Sequence, residues 1–127
     1  MKLKIVLLLF FISFQMLAQQ HFTKQDTLRG SITPERVWWD LKYYHLDIQV
    51  FPETKSIKGK NKILYTVLQP APVMQIDLQA PLKITRVTQM NRELKVVSEG
   101  NAHFIHLFRN QKIGAVNSIT VYYEGKP

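Results

Sequence analysis

Between Tyr43 and Val50 the chain alternates strictly. Tyr44, Leu46, Ile48 and Val50 fall on one face, and Tyr43, His45, Asp47 and Gln49 on the other. Side chains alternate across an extended strand but recur every three to four residues on a helix, so this stretch predicts a half-buried strand. The same period returns after Phe51-Pro52-Glu53-Thr54-Lys55. From Ser56 to Leu68, Ile57, Ile63, Tyr65 and Val67 share one face, and Lys58, Lys60 and Lys62 the other. Two such runs joined by a short turn predict a β-hairpin. Within it, Tyr44, Leu46, Ile48 and Val50 are expected to be the buried stripe of the first strand.

Shorter runs follow, each bounded by turn residues. Pro70 and Pro72 end the second strand, because proline cannot donate to a ladder. Further strands are expected at about 74–78, 82–90, 94–98, 103–108 and 117–123. Asn91-Arg92-Glu93 and Glu99-Gly100-Asn101 supply turns. No stretch shows a helical period of useful length. About seven short strands predict an all-β protein: an antiparallel β-sandwich or saddle-like open sheet. The chain stops directly after a strand, so an unpaired edge, and hence a fragment, is expected at its C-terminal side.

The N-terminus reads differently. Lys2 and Lys4 precede the apolar run Ile5–Ile12, and small Ala18 follows. That is the layout of a secretory signal peptide over residues 1–18, leaving Gln19 first. The run is shorter than the roughly 20 apolar residues a membrane span needs. Residues 19–37 then read as an exposed lead-in, and 38–127 as one partial β-domain. The expected location is periplasmic or extracellular, with no stable membrane anchor after cleavage.

The chain has no cysteine. Thiol catalysis, disulfides and a lipoprotein anchor are thereby excluded, and the fold must rest on its core. The formal charge of +8 falls by two when Lys2 and Lys4 leave with the leader. An excess of that size bears on solubility more than on partner identity.

Sequences that carry chemistry are missing. There is no His-Glu-x-x-His, Gly-x-Ser-x-Gly, P-loop or Gly-rich dinucleotide turn. His103 and His106 stand three apart in a strand, which points them to opposite faces and argues against a metal pair. Asp47, Asp77 and Glu53 read as isolated solvated or turn acids. No catalytic or metal-binding residue is therefore expected on this chain. Lys58, Lys60 and Lys62 form a basic stripe that could hold an anion or serve as a solvated outer face. No aromatic interleaves them, since Tyr65 lies on the other face, and a nucleic-acid partner is not expected. Trp38 and Trp39 are adjacent, so in an extended chain only one can turn inward. The other is a candidate for contact with a neighbouring domain.

The order of these segments resembles the aminopeptidase N family of zinc metallopeptidases. "WWDLKYYHLDIQVFPETKSIKGKNKILYTV" resembles that family's opening hairpin, with Tyr44-His45, Leu46–Val50, Glu53 and Gly59 at the matching places. "MQIDLQAPLKITRV" and "NSITVYYEGKP" resemble two later strands, and together the match runs over about 33–127. The resemblance implies a non-catalytic N-terminal domain that scaffolds a catalytic metallopeptidase domain in cis. Zinc and peptide substrates would be held by that other domain, where the family's Gly-x-Met-Glu-Asn and His-Glu-x-x-His motifs lie. The alternative is a stand-alone exported β-sandwich binding module, using the lysine stripe or an exposed Trp.

Overall fold

The computed structural model describes residues 22–127. The expected leader, and the first three residues of the lead-in, lie outside the described residues. Two short helices, α1 (Lys24–Gly30) and α2 (Pro34–Val37), precede eight strands. These are β1 (Trp39–Phe51), β2 (Ser56–Val67), β3 (Val73–Asp77), β4 (Lys83–Gln89), β5 (Arg92–Glu93), β6 (Lys95–Glu99), β7 (Ala102–His106) and β8 (Val116–Gly125). A five-stranded sheet has the order β1-β2-β8-β4-β5, and a three-stranded sheet the order β3-β7-β6. Every pairing is antiparallel. The fold is all-β, an open two-sheet arrangement, as the period-two pattern requires. No helix among the described residues is long and apolar enough to cross a membrane.

The core lies between the sheets. Ile63, Tyr65 and Val67 of β2 and Ile119 and Val121 of β8 meet Met74 of β3 and Ile105 of β7, all buried. Alternation places these side chains inward and sends Lys58, Lys60 and Lys62 outward. Turn chemistry closes the hairpins where the strands demand it. Met90 and Asn91 both have positive φ, at 49° and 62°. Positive φ at both central residues is the type I′ signature, whose twist matches that of the strands it joins. Asn91 tolerates this conformation well, and Met90 poorly.

The expectation that Tyr44, Leu46, Ile48 and Val50 are buried is corrected. Their exposures are 46%, 57%, 46% and 66%. They do lie on the inner face, opposite Ile63, Asn61, Gly59 and Ile57 of β2. What fails is the cover. Strands β3, β6 and β7 have five residues each, against thirteen in β1 and twelve in β2. At about 3.3 Å per residue the small sheet reaches ~17 Å along strands up to ~43 Å long. It covers the end of β2 from Ile63 onward, and the rest of the hairpin projects past it.

A bulge between Leu41 and Tyr43 also resets the phase of β1. Before it Trp39 and Leu41 face inward, opposite Val67 and Tyr65; after it the even-numbered residues do.

The lead-in is polar but fastened down. Thr23 and Asp26 form a capping box at the start of α1: the Asp26 N–H donates to Thr23 Oγ1 (3.3 Å), and the Thr23 N–H to Asp26 Oδ2 (2.8 Å). The hydrogen bonds from the Thr23 backbone and hydroxyl hold the Asp26 pKa below its usual value. Buried Gln75 of β3 then ties both helices to the small sheet. Its Oε1 accepts from Thr33 Oγ1 (2.7 Å), and its Nε2 donates to the Leu28 carbonyl (3.1 Å).

Gly59 makes the hairpin possible at one crowded point. A Cβ there would lie 2.7 Å from the Asp47 carbonyl oxygen and 3.0 Å from the Tyr123 hydroxyl. Tyr123 is the residue opposite Gly59 on β8, and its ring fills the space a side chain would take. Gly59→Val is expected to cost about 1–3 kcal/mol, an overpacking penalty against the Asp47 carbonyl and the Tyr123 ring. A urea midpoint equal to wild type would show that the Tyr123 ring does not occupy this position.

Candidate functional site

The uncovered inner face of the hairpin forms one wall of a groove of about 710 Å³. Tyr44, Leu46 and Ile48 of β1 line it, with Ile57 of β2 and Tyr123 of β8 beside them. The opposite wall comes from the end of β3, Gln75 to Leu78. Trp39 stands at one end, and Arg36 and Asp77 are joined there in an ion pair.

The groove is largely apolar, and Arg36, Asp40, Gln75 and Asp77 gather its polar groups at the Trp39 end. The Asn61 Oδ1 atom is buried and has no hydrogen-bond partner. The Tyr44 phenol is partly desolvated, which raises its pKa above the ordinary value. Asp77 is neutralised by Arg36, so neither is left as a free acid or base. The arrangement suits contact with another apolar surface and supplies no nucleophile paired with a base.

The adjacent tryptophans part company here. Trp38 is 1% exposed. Its ring meets Tyr65 edge-on at 5.8 Å, and its indole N–H donates to the Val73 carbonyl at 2.7 Å. Of the adjacent pair, Trp38 is thus the one that turns inward and is spent inside its own core. Trp39 is half-buried, donates to the Glu35 carbonyl (3.2 Å), and presents the rest of its ring to the groove.

Lys58, Lys60 and Lys62 do share the outer face, but that face carries both signs. Lys60 Nζ lies 3.2 Å from Asp47, and Lys58 Nζ 3.8 Å from Glu124. Lys62 sits between His45 on β1 and Thr120 on β8.

His103 is buried and engaged through both ring nitrogens. Nδ1 is 2.7 Å from Ser98 Oγ, and Nε2 is 3.3 Å from the Leu78 carbonyl. This resembles a nucleophile–base pair, but the contact reads as a cross-strand pair of β6 and β7. Among the described residues no group of three or more His, Cys, Asp or Glu side chains could hold a metal ion.

A second polar cluster is largely internal. Tyr65, Gln89 and Gln111 are buried together: Gln89 Nε2 donates to the Tyr65 hydroxyl (3.0 Å), which donates to Gln111 Oε1 (3.3 Å). Asn117 Nδ2 donates to the same Gln111 oxygen (2.5 Å). Burial drives the Tyr65 pKa up to about 12, against the lowering effect of the Gln89 hydrogen bond. Isolated glutamines in the sequence gave no sign of this network, because its members are brought together only by tertiary packing.

No family model matches the chain, and no curated protein matches it. Solved structures do. An M1 zinc metallopeptidase from Deinococcus radiodurans superposes with a TM-score of 0.63 at 16% identity, over 72% of this chain and 21% of that one. A mutant of that enzyme bound to a Tyr-Ser-Ala substrate gives a TM-score of 0.64 at 16% identity, over 73% and 22%. A two-domain M1 zinc metallopeptidase mutant bound to L-arginine gives 0.63 at 17%, over 72% and 21%. The chain spans about a fifth of the length of these structures. What it shares with that part of the M1 zinc metallopeptidases is the fold.

Proposed function

We propose that this chain is the non-catalytic N-terminal β-domain of an exported zinc aminopeptidase-like protein, and that it scaffolds a catalytic domain in cis. The observation that carries this is the likeness of fold to one part of two-domain M1 peptidases. The order of the Tyr44-His45, Leu46–Val50 and Gly59 segments supports it. So does an apolar groove that the described residues leave uncovered, with Trp39 at its end. An N-terminal domain of a larger protein needs such a face to dock on its neighbour.

Zinc belongs to the other domain in this proposal. The residues here do not fit the metal: both His103 nitrogens are engaged, and His106 lies three strand positions away on the other face. Peptides would be met through that domain, with this one shaping the approach.

Export would proceed through residues 1–18, and one preparation tests both parts. Protein recovered from the medium or periplasm is expected to begin at Gln19 and to leave an aminoacyl reporter uncleaved, with or without zinc. Retention in the cytoplasm with Met1 in place removes export from the proposal. Zinc-dependent cleavage by the isolated chain removes the non-catalytic role. DNA beyond codon 127 that encodes Gly-x-Met-Glu-Asn and His-Glu-x-x-His would support the parent enzyme.

A further inference from the structure

Strand β1 is the outer strand of the larger sheet. One of its edges pairs with β2 from Trp39 to Phe51. Among the described residues nothing pairs with the other edge. Such an edge displays a row of N–H and C=O groups, and proteins guard it with lysines, prolines, bulges or short strands. The guard on β1 is confined to its start, where Lys42 sits at the bulge. Tyr43 to Phe51 contains no Pro, Gly, Lys or Arg, and its one formal charge is Asp47. Of the lysines opposite this run on β2, Lys60 and Lys58 are opposed by Asp47 and Glu124, and Lys62, opposite His45, is the one with no ion pair among the described residues.

We infer that this free edge is an interface, and that its occupant is β1 of a second copy, antiparallel, about a two-fold axis at Leu46. Three features select this occupant. The first is alternation. A two-fold axis perpendicular to the sheet keeps both apolar faces on one side, and it must then pass beside a residue that meets its own copy. The second is charge. An axis at Asp47 would set two carboxylates against each other. An axis at Leu46 sets His45 opposite Asp47 twice, a polar pair of opposite tendency, and like charges nowhere in the run. The third is packing. The same register places Tyr44 opposite Ile48 twice and Leu46 opposite Leu46, aromatic–β-branched and aliphatic pairs that stabilise adjacent strands. These are the side chains whose exposure the small sheet fails to relieve.

The chain has no cysteine, so a single introduced one reports one contact. In the purified full-length chain, Leu46→Cys is expected to form a disulfide-linked dimer under mild oxidation. Residues directly opposite in an antiparallel pair lie about 5 Å apart, within disulfide reach. Val50→Cys is the control: its own copy lies about eight residues along the ladder, ~26 Å away, and it is expected to stay monomeric. By sedimentation the wild type is expected to show a monomer–dimer equilibrium. Leu46→Lys brings two ammonium groups together at the axis and is expected to weaken that equilibrium at least about tenfold. Leu46 is exposed, so neither change touches the core, and far-UV circular dichroism checks that both variants fold. A chain that is monomeric at all concentrations and gives no Leu46→Cys dimer overturns the inference. So does equal cross-linking at positions 46 and 50, or a dimer indifferent to Leu46→Lys. An edge that takes up only an extended peptide of another protein, and never its own copy, overturns it as well.

Discussion

Trp38→Ala is expected to lower the unfolding free energy by about 3–5 kcal/mol, the usual range for truncating a buried aromatic. For a domain whose total stability is on the order of 5–15 kcal/mol, that is a large share. The reason lies in what Trp38 joins. It stands at the end of α2, directly before β1, and so belongs by connection to the larger sheet. Its indole N–H reaches the Val73 carbonyl at the start of β3, in the smaller sheet. Its own carbonyl accepts from the Leu68 and Gln69 N–H groups where β2 ends. Alanine keeps the backbone contacts, loses the packing against Tyr65, and leaves the Val73 carbonyl without its donor. Trp39→Ala is the comparison: half-buried at the groove, it is expected to cost about 1–2 kcal/mol, since less apolar area is given up. Urea unfolding followed by circular dichroism separates the two. Near-equal losses would mean that the core is not organised around Trp38.

The strands were legible because period two is a local property. Ile63, Tyr65 and Val67 announce an inward face whatever lies opposite. Three other matters were not local. Burial of Tyr44, Leu46, Ile48 and Val50 depended on the length of a facing sheet, set well downstream by strands of five residues that begin at Val73, Lys95 and Ala102. The pairing of the lysine stripe depended on register: Asp47 and Glu124 come from the strands on either side of β2. The choice between Trp38 and Trp39 depended on α2, whose four residues carry no period to read. One missed feature did have a signal. Thr23-x-x-Asp26 is a capping-box spacing, and it marked the start of α1 in a stretch otherwise read as lead-in.

The groove follows from the same asymmetry. A long hairpin and a short facing sheet leave inner-face residues that are apolar by pattern and exposed by geometry. An edge and a face of one strand are different resources. Backbone pairing along β1 occupies its edge, whereas a domain seated in the groove occupies its face. A second copy at the edge and a catalytic domain on the face can therefore be tested apart, the first by disulfide trapping of Leu46→Cys in the isolated chain and the second by substitution at Trp39, which lies outside the proposed edge pairs.

At alkaline pH the stability is expected to fall through Tyr65. Its side chain is fully buried, and burial pushes its pKa up to about 12, from 10.0 for the free group. The folded state thus holds the phenol proton more tightly than the unfolded state does. The stabilisation is complete below about pH 10, and it is lost as pH rises through about 12. Two units correspond to about 2.7 kcal/mol, of which ~2 kcal/mol is lost by about pH 11.5. Tyr65→Phe removes the titration but leaves the Gln89 amide N–H without its acceptor inside the core, while Gln111 Oε1 keeps its bond from Asn117. At neutral pH that variant is expected to be less stable than wild type by about 1–2 kcal/mol. Above pH 10 the wild type alone carries the extra loss, so the gap between the two should close. Urea unfolding of both proteins at pH 8, 10 and 11.5 measures it. Parallel losses across that range would place the alkaline sensitivity elsewhere, because a buried phenol that resists ionisation must make the wild-type curve the steeper one.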